Sequence, residues 1–153
     1  MEAVFEESME ILEIIAILAC AIFAGAAIYI TLPEHPARLA CGTELAATVF
    51  GPSYKRAAVM QASLALIATL AGVVVAINGG AGLWFVGACL IFVVVPFTFL
   101  GIMPTNKQLL DPARDRTSEE TQVLLEKWGR LHAVRSVSSF AASILYVYLG
   151  VAT

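Results

Sequence analysis

Charge is what this 153-residue sequence has least of: Asp, Glu, Lys and Arg together make up 14% of it, and histidine occurs twice. That scarcity excludes intrinsic disorder, which needs a polar, highly charged composition. Three scattered cysteines with no C-x-x-C pair leave no disulfide framework and no thiol–disulfide chemistry. There is no glycine-rich phosphate loop. A net charge of -3 and a pI of 5.3 supply no basic stripe for phosphates, so no nucleic-acid partner is expected. Internal repeats and low-complexity segments are also missing.

Apolar side chains fill the gap. They account for 59% of the residues and raise the mean hydropathy to +0.85, more than a soluble fold of this size can hide from water. The expected fold is all-α: an integral membrane four-helix bundle forming a single membrane domain over residues 1–153, with antiparallel neighbouring spans. Between residues 57 and 106 no charged residue occurs, and one crossing needs roughly 20 residues, so two spans fit there. The strong breaker in that stretch is Asn78-Gly79-Gly80-Ala81-Gly82, which predicts a tight turn between spans at about 57–77 and 83–103. Further apolar runs at about 11–32, ended by Pro33 and Pro36, and at about 131–151 bring the count to four. Thr117-Ser118-Glu119-Glu120 resembles a capping box and predicts a cytoplasmic helical extension feeding the fourth span, with Gly129 as a bend and Trp128 at the membrane interface.

All nine Lys and Arg fall on one side of this topology. Arg38, Lys55 and Arg56 lie in the first connection; Lys107, Arg114, Arg116, Lys127, Arg130 and Arg135 lie around the second. Because translocating basic residues is disfavoured, the protein is expected in the plasma (inner) membrane, multi-pass, with both termini outside. Glu2, Glu6, Glu7, Glu10 and Glu13 make the N-terminal flank acidic where a signal peptide is basic, so the first span is expected to stay attached. Ala16, Cys20 and Ala24 give a small-xxx-small stripe suited to close helix packing, within the bundle or in a homo-oligomer.

Chemistry-bearing residues collect at the basic end. On the fourth span, His132, Arg135, Ser136, Ser139, Ser143 and Tyr146 fall within an arc about 100° wide at helical spacing. An ionisable group inside a span costs roughly 2.5 to 3.5 kcal/mol on insertion scales and normally faces the bundle interior, so the stripe is expected to point inward. His132 is the best-placed proton acceptor, since imidazole alone titrates near neutrality, and Arg135 one turn on suits an anion. His35, between two prolines, fits a structural role as well as a functional one. Glu34 and Arg38, four apart, suit a local ion pair. Glu34, His35 and His132 have the ligand types of a two-histidine, one-carboxylate iron centre, but no tight spacing supports it and no second feature points to haem; no metal site is expected.

These boundary segments resemble, in order, the anthrone oxygenase-like family of small four-helix membrane proteins. The resemblance is carried by Gly25-Ala26-Ala27-Ile28-Tyr29 with Glu34-His35-Pro36-Ala37-Arg38, and by Tyr54-Lys55-Arg56-Ala57-Ala58-Val59-Met60-Gln61. It continues through Pro96-Phe97-Thr98, Met103-Pro104-Thr105-Asn106-Lys107-Gln108-Leu109-Leu110 and Trp128-Gly129-Arg130-Leu131-His132-Ala133-Val134-Arg135. M-P-T-N-K and W-x-x-L-H-x-x-R are the specific parts. The resemblance implies oxidation of an apolar polycyclic aromatic, an anthrone, to a quinone by O₂ with no bound cofactor. His132 would be the base, with Arg135 and Asn106 stabilising the anion. Glu34, His35, Arg38, Tyr54, Arg56, Gln61, Thr98, Lys107 and Trp128 would form the substrate site. The competing reading is non-enzymatic: a small membrane protein whose basic face and polar stripe serve helix association, contact with the lipid bilayer or assembly with a membrane partner. A transporter is disfavoured, because four spans with none visibly broken mid-membrane leave little room for alternating access.

Overall fold

The computed structural model describes residues 1–152. It contains four long helical rods, each long and apolar enough to cross a membrane: Glu2–Ala40, Thr43–Ile77, Leu83–Leu109 and Glu119–Ala152. The first rod comprises α1 (Glu2–Tyr29), a π-helical segment (Ile30–Glu34) and α2 (His35–Ala40); the second is α3 (Thr43–Ile77). The third comprises α4 (Leu83–Phe92), α5 (Val94–Phe97), a second π-helical segment (Thr98–Ile102) and α6 (Met103–Leu109), and the fourth is α7 (Glu119–Ala152). α1 packs on α3 and α7, and α4 packs on the same two helices. The rods therefore form a ring in which α1 and α4 stand on opposite sides.

The prolines do not end the rods. Pro33 lies inside the π segment of the first rod, and the helix continues to Ala40. A proline has no N–H to give the preceding turn, and a widened turn accommodates that loss without breaking the rod. Pro96 precedes the π segment of the third rod in the same way, where the Thr98 hydroxyl donates to the Val94 carbonyl (2.6 Å). The third rod is thus irregular along its length, contrary to the uniform span its composition suggested.

Connections are short. Cys41 and Gly42 alone join α2 to α3, Gly42 with φ 97°. The predicted glycine turn is present after Ile77, with Gly79 at φ 107°. The connection before α7 differs in detail from a capping box at Thr117. Ser118 is the residue whose hydroxyl accepts from the Thr121 N–H (3.3 Å), while Glu120 pairs with Arg114 (2.9 Å) instead of reaching back. Asp115 accepts from both the Thr117 hydroxyl and its N–H, and that hydroxyl holds the carboxyl below the usual carboxylate range. From Glu119 the helix runs through Gly129 without interruption.

Two apolar cores stack along the bundle. The larger joins Ala16, Ala19, Cys20, Phe23 and Ala27 of α1 to Ala65, Ala68, Ala71 and Val75 of α3, Trp84 and Ile91 of α4, and Ala142 and Tyr146 of α7. The small-residue stripe is consumed here, inside the bundle. The second core lies toward the basic end and joins Ala46, Ala47 and Phe50 to Ile102, Leu109, Leu124, Leu125 and Trp128. Leu70, Ile77, Leu100, Val137 and Ile144 point outward, as lipid-facing residues do.

Tyr146 locks the larger core. Its ring is wedged between Gly72 and Gly87, where an added Cβ would run into it, and its hydroxyl donates to the Ala68 carbonyl (3.2 Å). Gly72→Ala and Gly87→Ala should each cost about 1–3 kcal/mol by overpacking. Tyr146→Phe should partly relieve Gly72→Ala, whose Cβ meets the hydroxyl first, and relieve Gly87→Ala less. Thermal unfolding of the four variants in detergent checks this.

Candidate functional site

The site lies where the two cores meet. A small cavity of about 20 Å³ is lined by Ile30, Arg38, Phe50, Ser53, Tyr54, Gln61, Trp128, His132 and Arg135, among others. A larger apolar chamber of about 210 Å³ adjoins it, lined by Phe23, Ala65, Val94, Thr98, Phe99 and Met103 with others. Tyr54, Ala58, Gln61 and Arg135 line both. A small polar cavity, the head of the site, thus stands beside an apolar chamber, and each is below the roughly 300–1,000 Å³ typical of small-molecule sites.

α7 delivers the head because it is a regular helix. His132, Ser136, Ser139 and Tyr146 are all buried on its inner face, one or two turns apart. Arg135 donates to Gln61 Oε1 (2.7 Å) and its guanidinium lies over the Phe23 ring, 5.4 Å from the centroid. Among the described residues it has no carboxylate partner. His132 is 2% exposed, with Nδ1 3.0 Å from the Thr31 hydroxyl and its ring stacked on Trp128 at 4.8 Å between centroids. Thr31 itself comes from the π segment of the first rod and also lies 2.8 Å from the Ser136 hydroxyl.

Three polar groups around the head are only partly satisfied. Arg38 Nε, Gln61 Nε2 and Arg135 Nε are buried with no protein acceptor. Buried N–H groups are ordinarily paired, so a cavity bordered by three unpaired ones suits a ligand that brings oxygen acceptors. Arg38 does keep its expected partner, Glu34, at 2.9 Å.

The other sequence-predicted residues take different places. Asn106 is fully buried behind Trp128, not lining either cavity: its Oδ1 accepts the indole N–H at 2.8 Å. Trp128 is therefore an interior residue of the bundle, 5% exposed. His35 is buried against Trp128, with ring centroids 5.1 Å apart, and its Nε2 donates to the Leu125 carbonyl at 3.0 Å. Gly129 is what allows that approach, since a Cβ there would sit 2.7 Å from the His35 ring. Thr98 lines the apolar chamber. Arg56 and Lys107 are exposed, away from both spaces, and Arg56 borders surface grooves. Glu34, His35 and His132 do not gather: among the described residues no three His, Cys, Asp or Glu side chains come together as metal ligands would. Residues missed at the sequence level are Thr31, Phe23, Phe50 and Phe99. Only Thr31 carried a signal, as a hydroxyl one turn before Glu34.

Fold and site together define a four-helix bundle of membrane-span candidates with a small polar cavity beside a larger apolar one. The family model for anthrone oxygenase matches residues 50–145, and the chain belongs to that family. Over 73 residues it is 37% identical to the anthrone oxygenase tpcL of Aspergillus fumigatus, a match spanning 44% of this chain and 45% of that protein. The chain thus aligns with less than half the length of this relative. No solved structure matches it. The family match includes Tyr54, Gln61, Thr98, Asn106, Trp128, His132 and Arg135, whereas Thr31, Glu34, His35 and Arg38 lie before it.

Asn106→Ala would strand the Trp128 indole N–H in the interior, a loss of about 1–3 kcal/mol. Lys107→Ala, one residue on but exposed, should stay within about 0.5 kcal/mol of the parent. Unfolding midpoints of the two variants in the same detergent discriminate an interior bracket from a surface position.

Proposed function

We propose that this protein is a membrane oxygenase that converts an anthrone-like polycyclic aromatic to the corresponding quinone using O₂, with no bound cofactor. The observation that carries the reading is the make-up of the small cavity: a buried imidazole lines it together with Arg38, Gln61 and Arg135, each of which has a buried N–H without a protein acceptor, and an apolar chamber adjoins it.

The chemistry follows from that layout. The ring system occupies the chamber among Phe23, Val94, Thr98 and Phe99 and lies broadside to the polar head, so that its carbonyl oxygen is turned toward the Arg38, Gln61 and Arg135 side and the methylene carbon across the central ring toward His132. His132 removes a proton from the methylene carbon flanked by two aryl rings. The charge that appears on the oxygen is met by donors that water does not compete for, which strengthens each interaction. The electron-rich carbanion passes one electron to O₂; the superoxide formed recombines at the same carbon, and His132 returns its proton to give a hydroperoxide. Loss of water leaves the new carbonyl. The sum is one CH₂ and one O₂ converted to one C=O and one H₂O. Asn106 acts at one remove by holding Trp128, which stacks on the base. Tyr54, at the border of both spaces, orients ring hydroxyls. Phe99 lines the chamber and is 62% exposed, so an apolar substrate can enter sideways from the bilayer.

The purified full chain in detergent or nanodiscs should accelerate O₂ consumption with an anthrone. His132→Gln should lower the rate by roughly 10²–10⁴-fold, the range of a positioned general base. Absence of acceleration by intact, folded protein would overturn the assignment.

The orientation follows from the nine basic residues at the head end of the bundle: the pocket opens near the cytoplasmic face of the plasma membrane and both termini are outside. A reporter fused to the C-terminus should be active only outside the cell; a cytoplasmic signal would reverse the topology.

A further inference from the structure

We infer that Thr31 and Ser136 hold His132 in the tautomer protonated at Nδ1, leaving the Nε2 lone pair free to accept a proton, while His35 is held in the opposite tautomer. The tautomers stand on hydrogen-bond geometry alone. Their effect on rate rests on the oxygenase reading.

The assignment comes from counting protons along a chain of close contacts. His132 Nδ1 lies 3.0 Å from Thr31 Oγ1, Thr31 Oγ1 lies 2.8 Å from Ser136 Oγ, and Ser136 Oγ lies 2.9 Å from the Ala27 carbonyl oxygen. A second carbonyl, that of His132, is 3.5 Å from the same serine oxygen. A carbonyl only accepts, so the chain ends there. If Ser136 donates to Ala27, then Thr31 donates to Ser136 and His132 Nδ1–H donates to Thr31: three contacts hold three protons. In the reverse sense Ser136 donates to Thr31 and Thr31 to Nδ1. That leaves two lone-pair-bearing oxygens facing each other at 2.9 Å with no proton between them. A buried contact of that kind is disfavoured, and the first sense prevails.

The same rule fixes His35. Its Nε2 faces the Leu125 carbonyl at 3.0 Å and must donate. The two histidines, both in ring contact with Trp128, thus carry their protons on different nitrogens.

The consequence is a division of labour. When Nε2 of His132 takes a proton from carbon, the resulting imidazolium keeps its Nδ1–H bond to Thr31. The oxygen chain then supports the new charge without a change of partners, and the proton leaves from Nε2. Thr31 and Ser136 are positioning residues in this scheme, as neither needs to touch substrate.

Nitrogen-15 NMR of the full chain labelled at histidine, in nanodiscs at mildly alkaline pH, reads this out, and two histidines assigned with His35→Gln make the spectrum simple. The expected result is a pyrrole-type Nδ1 and pyridine-type Nε2 for His132, with the pattern reversed for His35. Thr31→Val and Ser136→Ala should shift His132 toward the other tautomer and leave His35 unchanged, and Thr31→Ser should restore the parent spectrum. In the oxygen assay Thr31→Val should lower kcat roughly 10- to 100-fold with KM nearly constant. A pyrrole-type Nε2 on His132 in the parent protein, or a His132 spectrum indifferent to both folded variants, overturns the inference. Should Thr31→Val fail to fold, the parent spectrum and Ser136→Ala decide. The predicted tautomers without any O₂ uptake would sink the oxygenase reading alone; O₂ uptake with the wrong tautomer would sink only this inference.

Discussion

A guanidinium placed between apolar helices must find oxygen atoms, and the bond from Arg135 to Gln61 organises the site around that need. It ties α7 to α3 at a level where these helices otherwise meet mainly through α1 and α4. It also marks the boundary between polar head and apolar chamber, since both residues line both spaces. One glutamine oxygen does not saturate a guanidinium. The remaining buried N–H groups of Arg135, Gln61 and Arg38 leave the cavity with more donors than acceptors. Cation–π contact with Phe23 supplies some stabilisation on the apolar side. The bundle therefore concentrates N–H donors at one end of an otherwise apolar space, an arrangement consistent with the proposed anion-stabilising role.

Much of the architecture was legible in the sequence because membrane spans announce themselves by length and lack of charge. The glycine turn was legible because positive φ after Asn78 has few other solutions. The ends were not. Pro33 and Pro36 read as stops, since in a regular helix a missing N–H and a ring clash cost several kcal/mol. A π turn removes that conflict, and nothing in local composition distinguishes a proline that ends a helix from one carried through a widened turn. The capping residue slipped by one position for a similar reason: Thr117 and Ser118 both suit a cap, and the Asp115 side chain captures Thr117.

The site divides along the same line. α7 is regular from Glu119 to Ala152, so a wheel of 100° per residue placed His132, Arg135, Ser136, Ser139 and Tyr146 on one inward face. The first and third rods are irregular beside the pocket, and each widened turn shifts the face on which later residues lie. Partners contributed by those rods were accordingly obscured. Thr31 went unnoticed although it touches the base, while Arg56 and Lys107, attractive as charges, point outward. Asn106, expected to stabilise an anion, is buried, and its Oδ1 accepts the Trp128 indole N–H. An asparagine in a sequence does not reveal whether it faces a cavity or a neighbouring indole.

The two π segments also explain why the pocket sits where it does. Ile30 and Thr31 of the first, and Thr98 and Phe99 of the second, border the site or its base, while the two tight cores lie on either side along the bundle axis. Regular helices packed closely through small residues, as around Gly72 and Gly87, leave little room for a ligand. A widened turn displaces the backbone and opens space without giving up the hydrogen-bonded continuity that a membrane demands of every peptide group. Proline at 33 and 96 makes such a turn the cheapest way to continue the rod. Cavity, proline and hydroxyl partner of the base thus share one local cause, and the polar lining draws on Arg38 from the first rod, Gln61 of α3 and His132 and Arg135 of α7.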